Sequence, residues 1–277
     1  MTPLLFVLAA FFIALAAGTL GSILGLGGGI IVVPALTILL HVDIRLAIGA
    51  SIIAVIATSS GAAAAYVRER LTNLRVAMFL ELGTTAGAIT GAVIAGHLDR
   101  RWLFILFGAV LGYSALAMLR KRVVLTADAT APLSRTLRLS SSYYDEALDE
   151  EVPYKVGRPV TGLGLMYVAG VVSGLLGIGS GALKVPSMDL AMGLPIKVST
   201  ATSNFMIGVT AAASAGVYFS RGDVDPFIAA PVAIGVLAGA FLGSHLLTRI
   251  ENRIVRRLFV ATLVIISLQM LVKGIAG

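Results

Sequence analysis

Apolar runs about as long as a bilayer is thick limit this chain before any motif is considered. The stretch MFLELGTTAGAITGAVIAGHL, residues 78–98, is one of them, and about 20 predominantly apolar residues suffice for a helix to cross the hydrocarbon core. The 277 residues are 58% hydrophobic and 13% charged, with a mean hydropathy of +0.97. Soluble domains sit nearer half apolar and about a quarter charged. The expectation is an all-α, polytopic membrane protein that has the lipid bilayer as its first partner.

Lys and Arg outnumber Asp and Glu by 21 to 14, for a net charge of +7. Such an excess can serve nucleic acid, but here the cations fall in short loops between apolar segments, which is the pattern of membrane topology. No nucleic-acid partner is expected. The absence of cysteine excludes thiol chemistry, Cys-ligated zinc and disulfides. Residues 1–24 lack a basic leader and run straight on towards a glycine cluster, so a cleaved signal peptide is not expected either.

That glycine cluster occurs twice. GLGGGIIVVP at 25–34 returns 152 positions later as GIGSGALKVP at 177–186. At the same offset, without gaps, Ile44, Ser51, Thr58, Tyr66, Gly83, Gly87, Gly91, Arg101 and Leu106 fall on Ile196, Ser203, Thr210, Tyr218, Gly235, Gly239, Gly243, Arg253 and Leu258. The chain reads as two copies of one unit: a transmembrane repeat over 1–119, a polar linker over 120–158, and a second transmembrane repeat over 159–277. Helical segments are expected near 4–24, 28–40, 46–67, 76–96 and 102–119, and again near 160–176, 180–192, 198–219, 226–247 and 254–272. The segment after each glycine cluster is too short for a comfortable crossing at about 1.5 Å per residue, and reads as a half-helix or the return limb of a hairpin.

Loop charge bears on the topology. If 4–40 is a hairpin with the glycines at its tip, fifteen Lys and Arg lie on the linker's side and five on the other, with Lys184 completing the 21. If 4–40 is one kinked crossing, the split is twelve to eight. The stronger asymmetry favours the hairpin, an odd number of side changes per unit, and so inverted repeats. The linker holds Asp128, Asp145, Glu146, Asp149, Glu150 and Glu151 and reads as a solvated cytoplasmic connector.

A helix that restarts after a glycine cluster presents free N–H groups and the positive end of its dipole, and glycines let a ligand come close. Broken helices at matching places in two repeats are the sequence pointer to a transporter's site, although small residues also serve close helix packing. Packing is the reading for the i, i+4, i+8 ladders Gly83–Gly87–Gly91 and Gly235–Gly239–Gly243. For the broken helices the candidate substrate-binding residues are Gly27, Gly28, Gly29, Gly179, Ser180 and Gly181. Ser51 in one half, and Ser203 and Asn204 in the other, supply donors that suit an anion or, on the plainer reading, cap helices. Lys184, opposite Val32, is a membrane-depth cation and is expected to face the anion, so that Lys184→Met weakens binding with folding largely intact. Glu81 and Asp189 are the embedded carboxylates and candidate proton carriers, with an interfacial Glu81–Arg75 ion pair as the plainer reading. No catalytic residue, cofactor or metal site is expected: there is no phosphate-loop motif, and no His and carboxylate cluster has ligand spacing.

The duplicated GLGGGIIVVPAL and GIGSGALKVPSM, each followed by IRLAIGAS or IKVSTATSN, resemble the TauE/SafE family of sulfite and organosulfonate exporters over nearly the whole chain outside the linker. The resemblance implies a secondary carrier of the cell inner membrane that moves sulfite, sulfoacetate or a related small anion, mostly outward. An anion-selective channel and an uptake permease for sulfonates or carboxylates are the alternatives, and a homodimer is compatible with either. Ser180, where the first copy has Gly28, implies that the two halves of any site differ.

Overall fold

A computed structural model describes residues 2–119, 132–145 and 149–276. Helix α1 (Pro3–Leu24) starts with Pro3 in its first turn and the Thr2 hydroxyl accepting from the Leu5 N–H. It stops at Gly25, whose φ of 70° lies in the left-handed region. Gly27 and Gly28 continue at φ 73° and 69°, and a short α2 (Gly29–Ile38) follows. Three long helices complete the first half: α3 (Ile44–Arg68), α4 (Leu74–Ala95) and α5 (Arg100–Leu119).

After the short α6 (Pro132–Thr136) and the antiparallel pair β1 (Ser141–Asp145) and β2 (Glu150–Tyr154), the pattern recurs. Helix α7 (Pro159–Leu176) ends at Gly177 with φ 64°. Helix α8 (Gly181–Pro186) runs into a π-helical turn, Ser187–Ala191, and then come α9 (Ile196–Ser220), α10 (Pro226–Arg249) and α11 (Asn252–Ala276). Helices α1, α3, α4, α5, α7, α10 and α11 are long and apolar enough to cross a membrane. Helix α9 has 25 residues, and its first turns bury Lys197, Ser199, Thr200, Thr202, Ser203 and Asn204. Most expected segment ends agree within two residues; α11 runs four residues further than expected.

Contacts at the two ends of the bundle fix the path of the chain. At one end Phe6 stacks on Phe227 with centroids 5.7 Å apart, Arg45 donates to the Leu98 carbonyl at 3.2 Å, and Lys273 donates to the Thr37 carbonyl. These gather the start of α1, the end of α2, the start of α3, the end of α4, the start of α10 and the end of α11. At the opposite end lie the linker, the α3–α4 turn and the starts of α9 and α11. Helices α1 and α2 therefore begin and end on the same side, as a re-entrant hairpin. The second hairpin closes likewise, Gly157 N–H donating to the Met192 carbonyl at 3.0 Å beside the start of α7.

The glycine ladders are packing surfaces. A Cβ at Gly87 or Gly91 would lie 2.2 or 2.0 Å from the carbonyl oxygens of Tyr167 and Val171 on α7. At Gly239 or Gly243 it would lie 2.1 or 2.3 Å from those of Leu15 and Thr19 on α1. Rising numbers on both members make each pair parallel, and backbone approach this close is what small residues permit in the absence of a hydrophobic drive between helices.

The linker departs from expectation. Of its acids, Asp128 and Glu146 lie outside the described residues, but Asp145 is 1% exposed. Its carboxylate meets Lys197 Nζ at 2.7 Å, Asn252 Nδ2 at 3.2 Å and the Tyr143 hydroxyl at 3.0 Å. The Asn73 amide bonds the Leu139 carbonyl at 2.7 Å and the Tyr154 hydroxyl at 2.9 Å. Burial pushes the Tyr154 phenol above its ordinary pKa, with the Asn73 bond pulling the other way. Residues 141–145 and 150–154 form a strand pair docked on the helix bundle through Asp145, while Asp149, Glu150 and Glu151 remain exposed to solvent.

Candidate functional site

The tips of the two hairpins meet inside the bundle. A Cβ on Gly181 would lie 2.1 Å from the Gly25 carbonyl oxygen and 2.7 Å from Leu26 Cα, and one on Gly29 would lie 3.3 Å from the Gly177 carbonyl oxygen. Val55 of α3 and Ile207 of α9 flank the junction, touching the positions of Gly27 and Gly179. Gly27, Gly29, Gly179 and Gly181 thus lie at one buried junction, while Gly28 faces Thr58, Ala17 and Val236 and Ser180, buried at the second tip, takes a left-handed conformation at φ 59°.

A helix that stops inside the bundle leaves carbonyls without intrahelical partners, and the polar side chains near the tips answer them. Ser51 donates to the Gly177 carbonyl at 2.6 Å, and Ser203 donates to the Gly25 carbonyl at 2.9 Å. Donors 152 positions apart serve acceptors 152 positions apart, each across to the other half. Asn204 Nδ2 donates to the Ser22 carbonyl at 2.7 Å, while its Oδ1 is buried without a partner. The Ser180 hydroxyl donates to the Gly179 carbonyl at 2.7 Å. Tyr66 and Tyr218 do similar work, donating to the Ser22 carbonyl at 3.1 Å and the Gly174 carbonyl at 2.6 Å. Both tyrosines recur at the 152 offset, which was the available signal for a role that composition concealed.

Lys184 is fully buried. Its Nζ donates to Thr210 Oγ1 at 2.6 Å and lies 3.6 Å from Glu81 Oε2. Thr210 donates on to Glu81 Oε1 at 2.6 Å, and Thr85 reaches the same oxygen at 3.1 Å. The interfacial pairing of Glu81 with Arg75 is not what forms: Arg75 donates to the Arg138 carbonyl at 3.0 Å, while Glu81 sits on the face of α4 packed against α9. Asp189, also buried, pairs with Arg256. Neither carboxylate touches the hairpin tips, so Glu81 and Asp189 occupy separate places. Among the described residues, no group of three His, Asp or Glu side chains is arranged to hold a metal ion.

A cavity of about 280 Å³ opens at the end opposite the linker, lined by Arg45, Ile48, Leu175, Tyr218, Arg221 and Asp223 among others. Arg221 lies over the Tyr218 ring at 4.4 Å and bonds Asp223 at 2.9 Å. Ile48 and Tyr218 connect this vestibule with the tip of the second hairpin, because Ile48 touches the Gly177 position and Tyr218 bonds Gly174. The cavity sets Arg45 and the Arg221–Asp223 pair one packed layer away from the second glycine loop.

The model of the sulfite exporter TauE/SafE family matches residues 10–270. The chain belongs to this family. Three curated relatives of this TauE/SafE protein are each described as a probable membrane transporter protein. YunE of Bacillus subtilis is 27% identical over 95% of this chain and 96% of its own length. YdhB of the same organism is 26% identical over 87% and 89%. A protein of Xylella fastidiosa strain 9a5c is 29% identical over 84% and 82%. No solved structure matches the TauE/SafE chain. It is a multi-pass membrane transporter protein.

Proposed function

We propose that this protein is a secondary carrier that exports a small sulfur-containing oxyanion, sulfite or an organosulfonate, across the inner membrane by alternating access. The observation that carries the reading is the junction of two glycine-broken hairpins inside the bundle. Backbone N–H groups of Gly27–Gly29 and Gly179–Gly181 would hold the anion's oxygens once the tips part and the Gly27 and Gly29 N–H groups leave the carbonyls of Gly21 and Gly27. Ser51, Ser203 and Asn204 would exchange helix carbonyls for substrate. Reciprocal bonding of Ser51 and Ser203, and the parallel pairs α1–α10 and α4–α7, support two related halves of opposite orientation that rock against each other. The excess of Lys and Arg at the linker end supports a cytoplasmic linker. An interior-negative potential then favours anion exit by about 2.3 kcal/mol per charge per 100 mV.

Lys184 contributes by a different route from the one expected of it. Its charge is answered by Glu81 in the closed contact, so an anion would draw it away from Glu81, leaving that carboxylate free to take a proton. Reconstituted liposomes test the whole reading: efflux of sulfite and sulfoacetate is saturable and accelerated by counter-anion, while acetate efflux stays at the background rate. Ohmic, non-saturating flux, or equal flux of all three, would replace it with a channel.

A further inference from the structure

Position 45, which opens α3 in the first half, corresponds to position 197, which opens α9 in the second. Arg45 lines the open vestibule at one end, whereas Lys197, at the other end, is 1% exposed and covered by Asp145, itself 1% exposed. Asn252 Nδ2 and the Tyr143 hydroxyl also donate to the Asp145 carboxylate. We propose that the Lys197 pocket is an oxyanion-binding site at the linker end, and that the chain's own Asp145 carboxylate is its occupant in the closed state.

Four observations carry this. Among the described residues the bundle offers Asp145 the Lys197 ammonium and the Asn252 amide, a pair that fits a sulfonate as well as a carboxylate, while the Tyr143 phenol belongs to the same strand as Asp145. Next to the pocket, a cavity of about 290 Å³ is lined by Asn252, Ile196, Asp189, Arg253 and Arg256, so Asn252 faces both the docked carboxylate and a cationic antechamber. Immediately inward of Lys197, the hydroxyls of Ser199 and Thr200 are buried with no hydrogen-bond partner. Thr200 in turn abuts the Gly25 tip, its Cα 2.9 Å from where a Gly25 Cβ would stand. Orphaned buried donors are costly unless something visits them, and of these two Thr200 lies against the hairpin junction. A buried ion pair, finally, is poor stabilisation beside an apolar pair of similar size, and its better-attested use is as a specifying or switching element.

The strand pair β1–β2 is therefore a tethered lid. A substrate oxyanion gathered by Arg253, beside the Arg256–Asp189 pair, competes with Asp145 for Lys197, releases the lid, and passes towards Thr200 and the glycine tips. The inference deepens the carrier reading and rests on it for the identity of the competing anion.

The absence of cysteine allows a direct test. A Leu139→Cys reporter, buried in the docked linker at 1% exposure, is labelled with a maleimide in detergent at constant ionic strength, with Val156→Cys as a second reporter. Saturating sulfoacetate should accelerate labelling about tenfold, within the usual range of a coupling between two sites, and acetate at equal ionic strength should do less. Asp145→Asn should label fast without any anion. The exchange Asp145→Lys with Lys197→Asp should restore slow labelling that sulfoacetate no longer moves, because the bundle side then repels anions. Labelling indifferent to sulfoacetate and to Asp145→Asn, or an exchanged pair that still responds to the anion, overturns the proposal. The liposome assay separates the two readings: lid release without sulfonate flux sinks the carrier and leaves the site, while flux with an unresponsive lid does the reverse.

Discussion

At Lys184, an ammonium buried among apolar helices is held by Thr210 and faced by Glu81 at 3.6 Å. That pairing alters what Lys184→Met should do. Removing the cation alone strands Glu81, and breaking a buried pair from one side costs about 3–5 kcal/mol. Thermal unfolding in detergent should show a large loss for Lys184→Met and recovery in the double variant Lys184→Met with Glu81→Gln. If the single variant unfolds like the parent, the pair is not holding the bundle together and Lys184 is free to serve the anion alone. Ser51 gives a second case. In Ser51→Ala the Gly177 carbonyl loses its donor, and an unsatisfied buried group costs about 1–3 kcal/mol; an unchanged melting temperature would show that another donor replaces the hydroxyl. The sequence could single out Lys184, since a lysine in an apolar run opposite Val32 needs a reason. It could not supply the partner, because Glu81 reaches it from a helix of the other half, and the nearer Arg75 made a local pair look sufficient.

At the scale of an element, the two hairpins were legible because glycines at alternate positions followed by a short apolar segment have few other outcomes in a membrane. Their mutual contact was not, since nothing local says that Gly181 faces Gly25. Gly181 tests that contact cleanly: it lies at the start of α8 outside the positive-φ region, so alanine suits its backbone. The added Cβ would nonetheless stand 2.1 Å from one backbone atom and 2.7 Å from another. Gly181→Ala should lower the melting temperature and slow sulfite flux. Gly164→Ala on α7, with nothing within 4 Å of the added atom, should be silent or stabilise by up to about 1 kcal/mol. Equal behaviour of the two variants would mean that the tips are looser than the structure places them. The strand pair of the linker was invisible for a related reason. SSYYD and EEVPY are short and polar, and what makes them a lid is Asp145 docking on Lys197, a contact no local pattern encodes.

For the whole molecule, the hairpin makes a topological demand that a single kinked crossing does not. With α1 and α2 returning to one side, the residues before α1 share that side with the α4–α5 turn. The linker and the α10–α11 turn lie opposite. With a kinked crossing, the residues before α1 would instead lie on the linker's side. Loop cations already lean towards the hairpin, but the linker dominates that count, and the contacts of Phe6 with Phe227 and of Lys273 with Thr37 are what make the path continuous. Single cysteines separate the alternatives in a chain that has none of its own. Thr2→Cys and Asp99→Cys should react with a membrane-impermeant maleimide on intact cells, while Tyr144→Cys and Glu251→Cys should react only after permeabilisation. Labelling of position 2 together with 144 would convert the hairpin into a crossing and remove the inverted arrangement. Labelling of 144 and 251 from outside would keep the arrangement, reverse its orientation, and make the potential that favours anion exit oppose the passage from lid to vestibule.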